Sequence, residues 1–424
     1  MKLDLLISYL NNNVSDWEVY IESTESISAE IDKGSLKVIN SLKDFGYSIR
    51  VLKDGKIGFS ASDDPNAILD VADNAIKLSK LSGKRLKNFP VGNSSKVTGI
   101  FDKRFNDITP DVLADQVDVL VNSALAVGKV NPAKGKIIFS KLNVKILNSS
   151  GTELEYTSTY SEASLEVVFD KYYGFEIDQS RLTDLNLEKV GRNAAKLAME
   201  SSNPIKIEKG FYNVVLTPIA VDQLFYYSFY PAILANNVIK GRSPLIGKTG
   251  EKIGNLTIID DGTMNGGLNT VPFDDEGVKS RKKIILNKGE LKTYLFDLEN
   301  AELMNCSSTG NGFRDDYATY PSPQPSNVIL DFDTKSQDLY DDRVILIHSF
   351  IGSHTANPVS GDFSLEAMNA FIIKGGDKIP LKEIMIYDNI YNLIKKIDVF
   401  GKDVRQVNCT VSPSIRFKDI KILS

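Results

Sequence analysis

Soft metal donors are scarce in this chain: its 424 residues hold two histidines and two cysteines. Cys306 and Cys409 give no disulfide framework, which fits a reducing compartment and sets the expectation of a cytoplasmic protein. The spacing of Cys306, His348, His354 and Cys409 matches no compact zinc module, so no metal site is expected from them. Long basic runs are also missing. The net charge is −5 with acids and bases interspersed, which offers nucleic acid no electrostatic footprint. One uncharged stretch, residues 223–239, is short of the roughly 20 apolar residues of a membrane span. It also contains Gln223, Pro231, Asn236 and Asn237, so a buried or interface helix, kinked or begun near Pro231, is expected instead. The first ten residues carry Asp4 inside their apolar run and no small-residue cleavage site follows. They read as an amphipathic first helix, not a signal peptide.

What is present suits a well-packed protein of two or three domains, with 42% hydrophobic residues. Strand-like segments at 18–22, 26–31, 35–41, 47–52 and 56–61 are punctuated by Asp32-Lys33-Gly34 and Lys53-Asp54-Gly55, which supply hairpin-turn chemistry. Residues 65–81 show helical spacing through Ile68, Val71, Ala72, Ala75 and Ile76. A polar stretch at 91–99 marks a boundary. Beyond it come a helix at 110–126, strands at 136–148 and 153–175 around an Asn148-Ser149-Ser150-Gly151 corner, and a helix at 187–201. Helix, hairpins, helix thus occurs twice, with too little residue identity to call it a repeat. From residue 209 onward the chain is strand-rich and punctuated by glycines, the pattern of a curved sheet or barrel. Tyr317-Ala318-Thr319-Tyr320-Pro321-Ser322-Pro323-Gln324-Pro325 cannot donate a continuous ladder and reads as a surface loop. The expected class is α+β: N-terminal antiparallel hairpins with flanking helices, and a C-terminal strand-rich, barrel-like or curved-sheet domain. The expected domains span residues 1–95, 96–208 and 209–424.

Isolated motifs carry little chemistry. Residues 241–249 resemble a phosphate-binding loop, but have one residue too many between their glycines and follow a helix-like segment where a strand is required. Cys306 or Ser308 with His354 as base would make a nucleophilic site only if the fold united them. Three adjacent acids, Asp274, Asp275 and Glu276, could hold a hard cation, yet such runs more often cap turns or form salt bridges.

An ordered series of motifs says more. Tyr20-Ile21-Glu22-Ser23, Gly46-Tyr47-Ser48-Ile49-Arg50-Val51 and Lys56-Ile57-Gly58-Phe59-Ser60 come first. Lys240-Gly241-Arg242-Ser243, Thr257-Ile258-Ile259-Asp260-Asp261, Pro272-Phe273-Asp274-Asp275-Glu276-Gly277-Val278 and Asn287-Lys288-Gly289-Glu290-Leu291 follow. The series ends with Ser308-Thr309-Gly310-Asn311-Gly312, Asn357-Pro358-Val359-Ser360-Gly361-Asp362-Phe363-Ser364 and Ser412-Pro413-Ser414-Ile415. Across nearly the full chain this resembles the TldD/PmbA family, once called modulators of DNA gyrase and regarded as metallopeptidases. In the TldD branch a helix carries His-Glu-x-x-x-His, with two imidazoles and a later cysteine on zinc and the glutamate as general base. Counting back from Lys240-Gly241-Arg242-Ser243, that motif falls at Tyr226-Tyr227-Ser228-Phe229-Tyr230-Pro231, and residues 222–243 hold no histidine and no glutamate.

The resemblance is therefore to the PmbA, or TldE, branch. It implies no catalytic residue and no cofactor in this chain, and zinc in a TldD-like catalytic partner with which the chain forms a heterodimer. It further implies a chamber wall where extended peptides bind by adding a strand to a sheet edge. Asp274, Asp275, Glu276, Ser308, Thr309, Gly310, Asn311, Gly361, Asp362, Phe363 and Ser364 are the groove or interface residues it suggests. A stand-alone peptide-binding homodimer is the alternative, and a self-sufficient hydrolase a third. Neither nucleic acid nor a membrane is an expected partner, and the absence of a basic face gives the gyrase label little support.

Overall fold

A computed structural model of the chain describes residues 2–336, 338–340 and 343–423; Met1, at the head of the expected first helix, lies outside them. In α1 (Leu3–Asn13) Leu6 and Leu10 are buried and Leu5 is exposed, the amphipathic face read from the sequence. The chain then forms β1 (Asp16–Asp32), β2 (Ser35–Lys53) and β3 (Lys56–Ser62). The turns between them place Lys33-Gly34 and Asp54-Gly55 at positive φ, as a two-residue hairpin on twisted strands requires. Helix α2 (Ile68–Ser79) closes the unit. A second unit repeats the order as α3 (Pro110–Leu125), β4 (Asn131–Asn148), β5 (Glu153–Phe169), β6 (Tyr172–Ser180) and α4 (Leu187–Glu200). β1 pairs antiparallel with β4 from Glu18↔Asn148 to Asp32↔Lys134, so both units share one six-stranded sheet, β3-β2-β1-β4-β5-β6.

Three boundaries differ from the sequence reading. β1 and β2 run unbroken through residues 23–25 and 42–46: the first three are half-buried polar residues, and in the second Leu42, Lys43 and Asp44 are exposed, Phe45 is half-buried and Gly46 is buried, all within long paired strands. Residues 153–175 are two strands, not one. Asp170 takes φ 55° between them, a left-handed position that an aspartate tolerates without a glycine. The proline-rich segment 317–325 is no free loop. Pro323 pairs opposite Gly312, Pro321 and Pro323 are buried, and Tyr320 packs against Phe59 and the Arg50 guanidinium. Its prolines remove backbone donors, but their apolar rings still bury well between the sheet and the C-terminal region.

The C-terminal region begins with β7 (Gly210–Leu216), α5 (Pro218–Ser228), a 3-10 turn (Tyr230–Ile233) and α6 (Ala235–Ile239), so the uncharged stretch breaks around Pro231 as expected. Next come β8 (Thr257–Asp261), β9 (Lys282–Asn287), β10 (Glu290–Leu291), α7 (Leu298–Leu303), β11 (Gly312–Phe313), β12 (Ser322–Pro323), β13 (Val328–Asp331) and β14 (Ile345–Ile351). The last elements are β15 (Asp362–Lys374), β16 (Asp377–Leu381), β17 (Met385–Asn389), α8 (Ile390–Leu393), β18 (Ile397–Phe400), β19 (Arg405–Val407), β20 (Thr410–Ser412) and β21 (Ile415–Leu423). Strands β14, β7, β21, β17 and β15 close into a ring because β15 pairs with β17 through its first residues and with β14 further along. The second sheet runs β10-β9-β8-β13-β20-β19. One hydrophobic core, including Val221, Leu224 and Phe225 of α5, joins ring and sheet. This is the mixed α and β architecture with a barrel-like C-terminal domain expected from the sequence. Among the described residues no helix is long and apolar enough to cross a membrane.

Candidate functional site at helix α5

Helix α5 starts where Thr217 accepts a hydrogen bond from the Ala220 N–H through its side chain and Pro218 occupies the first turn, both favourable start signals. Its apolar face enters the core and leaves Tyr226 and Tyr227 exposed. Beside it lies a cavity of about 770 Å³. Asp222, Gln223, Tyr226 and Tyr227 of α5 form one wall, Tyr160 and Gln179 of the N-terminal sheet another, and Gln324, Pro325, His354, Asn408 and Cys409 are among the residues that line the rest. A second hollow continues past Tyr230, Pro231, Asp315 and Pro358, sharing Tyr226, Tyr227 and His354, so the two form one groove. The rings stack edge to face: Tyr226 on Tyr227 at 5.1 Å and Tyr227 on His354 at 6.5 Å.

Asp222 lies at the floor of this groove. Its Oδ2 accepts from Asn408 Nδ2 at 2.7 Å, and burial pushes its carboxyl up to about 6. Burial also pushes the Cys409 thiol far above its ordinary value, with the Asp222 carboxylate acting in the same direction, so the thiolate form that would ligate a metal is disfavoured. The positions where the resemblance puts zinc ligands and base are occupied by Tyr226, Tyr227 and Pro231. A catalytic zinc site needs three nitrogen, thiolate or carboxylate donors and an open position. Among the described residues no group of three or more His, Cys, Asp or Glu side chains is placed to hold a metal. This donor set does not fit zinc.

Of the other soft donors, His348 points from β14 to the Phe175 carbonyl at 3.1 Å, and burial lowers its pKa against the opposing pull of Glu176. It lies within β14, as its setting suggested, but the registers of β14 with β7 and β15 both pass over it, so it is not a paired position there. Cys306 is exposed and lines a depression with Ser308, away from the groove that holds His354. Cys306 or Ser308 with His354 is therefore not assembled as a nucleophile–base pair. The glycines at 241 and 247 sit in turns after α6, with no phosphate-loop strand before them.

The acidic triplet and the Ser308–Asn311 segment come together away from the groove. Asp274 accepts from the N–H groups of Glu276, Val278 and Gly312, and burial, with Glu276 beside it, holds its carboxyl well above the usual range. Asp275 accepts from the Arg314 N–H, and burial pushes its carboxyl up to about 7. Glu276 binds Arg50 at 2.7 Å and the Leu298 N–H at 2.7 Å. Ser308 and Thr309 bond to the Phe296 backbone, Gly310 turns at φ 73°, and Asn311 bridges Lys283 and Asp260. Gly361, Asp362, Phe363 and Ser364 open β15 in a third place, where Asn389 donates to Asp362. None of these eleven residues lines the α5 groove. The residues that do line it and that sequence reasoning missed are Asp222, Tyr160, Gln179 and Asn408. One signal was available: Asp222 is the only charge between Lys209 and Lys240.

The model of the PmbA/TldA metallopeptidase C-terminal domain matches residues 209–424, more than half of the chain. The chain belongs to the TldD/PmbA family. The models of that family's domain 1 and central domain match residues 17–79 and 104–201. An uncharacterized protein of Methanocaldococcus jannaschii is 32% identical over 99% of both chains. A metalloprotease of Methanothermobacter thermautotrophicus is 25% identical over 95% of this chain and 93% of its own. The crystal structure of TldE from Thermococcus kodakarensis superposes with a TM-score of 0.91 over all of both chains at 24% identity, a likeness of fold. Some TldD/PmbA relatives are named metalloprotease, and among the described residues of this member no group of three or more His, Cys, Asp or Glu side chains is placed to hold a metal.

Proposed function

We propose that this chain is the non-catalytic, PmbA/TldE-like subunit of a TldD-type zinc metallopeptidase. It is a cytoplasmic protein that closes the chamber and helps hold unfolded or small peptides for the partner's zinc centre to cut. The observation that carries the reading is the α5 groove itself. It keeps the size of a substrate site while Tyr226, Tyr227 and Pro231 stand where ligands and base would be. Aromatic walls with scattered amides suit a peptide held by its side chains and backbone, not one that is hydrolysed.

Metal analysis of the purified chain, alone and after co-expression with a TldD-type protein of the same genome, tests this. No zinc in the lone chain, about one per heterodimer, and peptidase activity only in the complex are expected. Stoichiometric zinc and chelator-sensitive peptidase activity in the lone chain would make it the enzyme. Peptide binding by a homodimer that takes up no TldD-type protein would put the stand-alone reading in its place.

A further inference from the structure

Asp222 is 3% exposed, and its Oδ1 has no hydrogen-bond partner. The Thr410 hydroxyl, which shares a hydrogen bond with the Tyr230 hydroxyl at 2.7 Å, is near enough to favour the ionised carboxylate but makes no hydrogen bond to Oδ1. A buried carboxylate oxygen without a donor is unfavourable, and such an acceptor in a native fold calls for something that supplies the donor. The surroundings say what kind. Among the described residues no lysine or arginine lines the cavity or the hollow that continues it, and the hollow adds a second acid, Asp315. Tyr160, Tyr226 and Tyr227 present aromatic rings, whose negative faces attract cations. The carboxylate is covered by Asn408, an exposed residue at φ 49° whose amide donates to Asp222 and accepts from Gln179 at 3.1 Å. Asn408 is a neutral donor on a carboxylate, which a cation can displace with a stronger, charge-assisted bond.

We propose that the α5 cavity binds the ammonium group of a peptide, either a free amino terminus or a lysine side chain, with Asp222 as counter-ion and Tyr226 and Tyr227 beside it. The inference rests on the peptide-holding role above and names the group that the groove selects. A carboxylate or phosphate would meet Asp222 as a like charge, and an apolar side chain would leave Oδ1 unpaired.

Binding of three short alanine–serine peptides to the full chain at pH 7.5, each labelled at its carboxyl end and followed by fluorescence anisotropy, tests it. One has a free amino terminus, one is N-acetylated, and one is N-acetylated with a single internal lysine. Acetylation is expected to weaken binding about tenfold or more, the loss of one charge-assisted bond. Whether the lysine restores it tells the two amine sources apart. In D222N the three peptides should bind alike. Equal binding of all three to the unmodified chain would refute ammonium selection and leave the peptide-holding role standing. No binding of any would remove both. A preference for the amine that persists in D222N would overturn the assignment to Asp222. Because acetylation alters only the ligand, the first comparison holds even if D222N folds poorly.

Discussion

A carboxyl buried as deeply as Asp222 is a burden on the unliganded protein. Burial pushes it up to about 6, against about 3.9 in an unfolded chain. The folded state therefore favours the protonated form. Below about pH 4 both states are protonated and nothing is lost, whereas stability drains away as pH rises from about 4 through about 6. The side-chain amide in D222N would keep an acceptor for Asn408 and would not titrate. D222N is expected to be more stable than the natural chain at pH 7.5 by up to about 3 kcal/mol, and equal to it at pH 4, in urea unfolding at both pH values. The same gap at both pH values would mean that Asp222 ionises normally. The counter-ion role proposed for Asp222 would give that cost a function. At this scale the sequence shows the lone charge in an apolar run, but not its company. Tyr160, Gln179 and Asn408 arrive from a hairpin and a turn far along the chain, and nothing in their local patterns marks them.

Between elements, close approach decides. Gly58 is the third residue of β3 and Gly174 the third of β6. A Cβ on Gly58 would run into the Ala75 carbonyl and the Ser79 N–H of α2, and one on Gly174 into the Ala194 carbonyl and the Ala198 N–H of α4. Both helices thus seat on a strand glycine through positions four residues apart, one face of a helix. This shared seat makes the two units alike in structure where residue identity was too low to say so. G58A and G174A should each destabilise by roughly 1–3 kcal/mol, the cost of overpacking against backbone that cannot yield. G83A, where an added Cβ meets nothing, should stay within about 0.5 kcal/mol of the natural chain in thermal melts. Equal melting of all three would mean that the helices are free to shift. Helix positions and the turns at Gly34, Gly55 and Gly151 were legible because periodicity and turn chemistry are local. Strand lengths were not. Gly46 looks like a breaker but lies within β2, where its bare Cα makes room for the Tyr317 ring, a contact set by residues far apart in sequence.

For the whole molecule the decisive contact is a buried knot of charge between the N-terminal sheet and the C-terminal region. Arg50 of β2 binds Glu18 of β1 through Nε at 2.9 Å and Nη2 at 2.7 Å, and reaches Glu276 at 2.7 Å. Arg314 returns from the C-terminal region to Glu18 at 3.0 Å and lies 4.6 Å from the Tyr20 ring centre. All four charged side chains are 1% exposed. The partners are 226 and 296 positions apart, which is why the sequence reading could assign Glu276 to structure or interface but could not say what it holds. Removing Arg50 leaves two buried carboxylates with one guanidinium, and breaking a buried pair in this way costs about 3–5 kcal/mol. R50M should therefore lower the calorimetric Tm and split a shared transition, the N-terminal sheet melting before the C-terminal region. A single transition at an unchanged Tm would show that the knot does not couple them. The same variant should also weaken peptide binding, although Arg50 does not line the groove. Tyr160 and Gln179 belong to the sheet while Asp222, Tyr226 and Tyr227 belong to the C-terminal region, so the cavity exists only while the two parts are locked together.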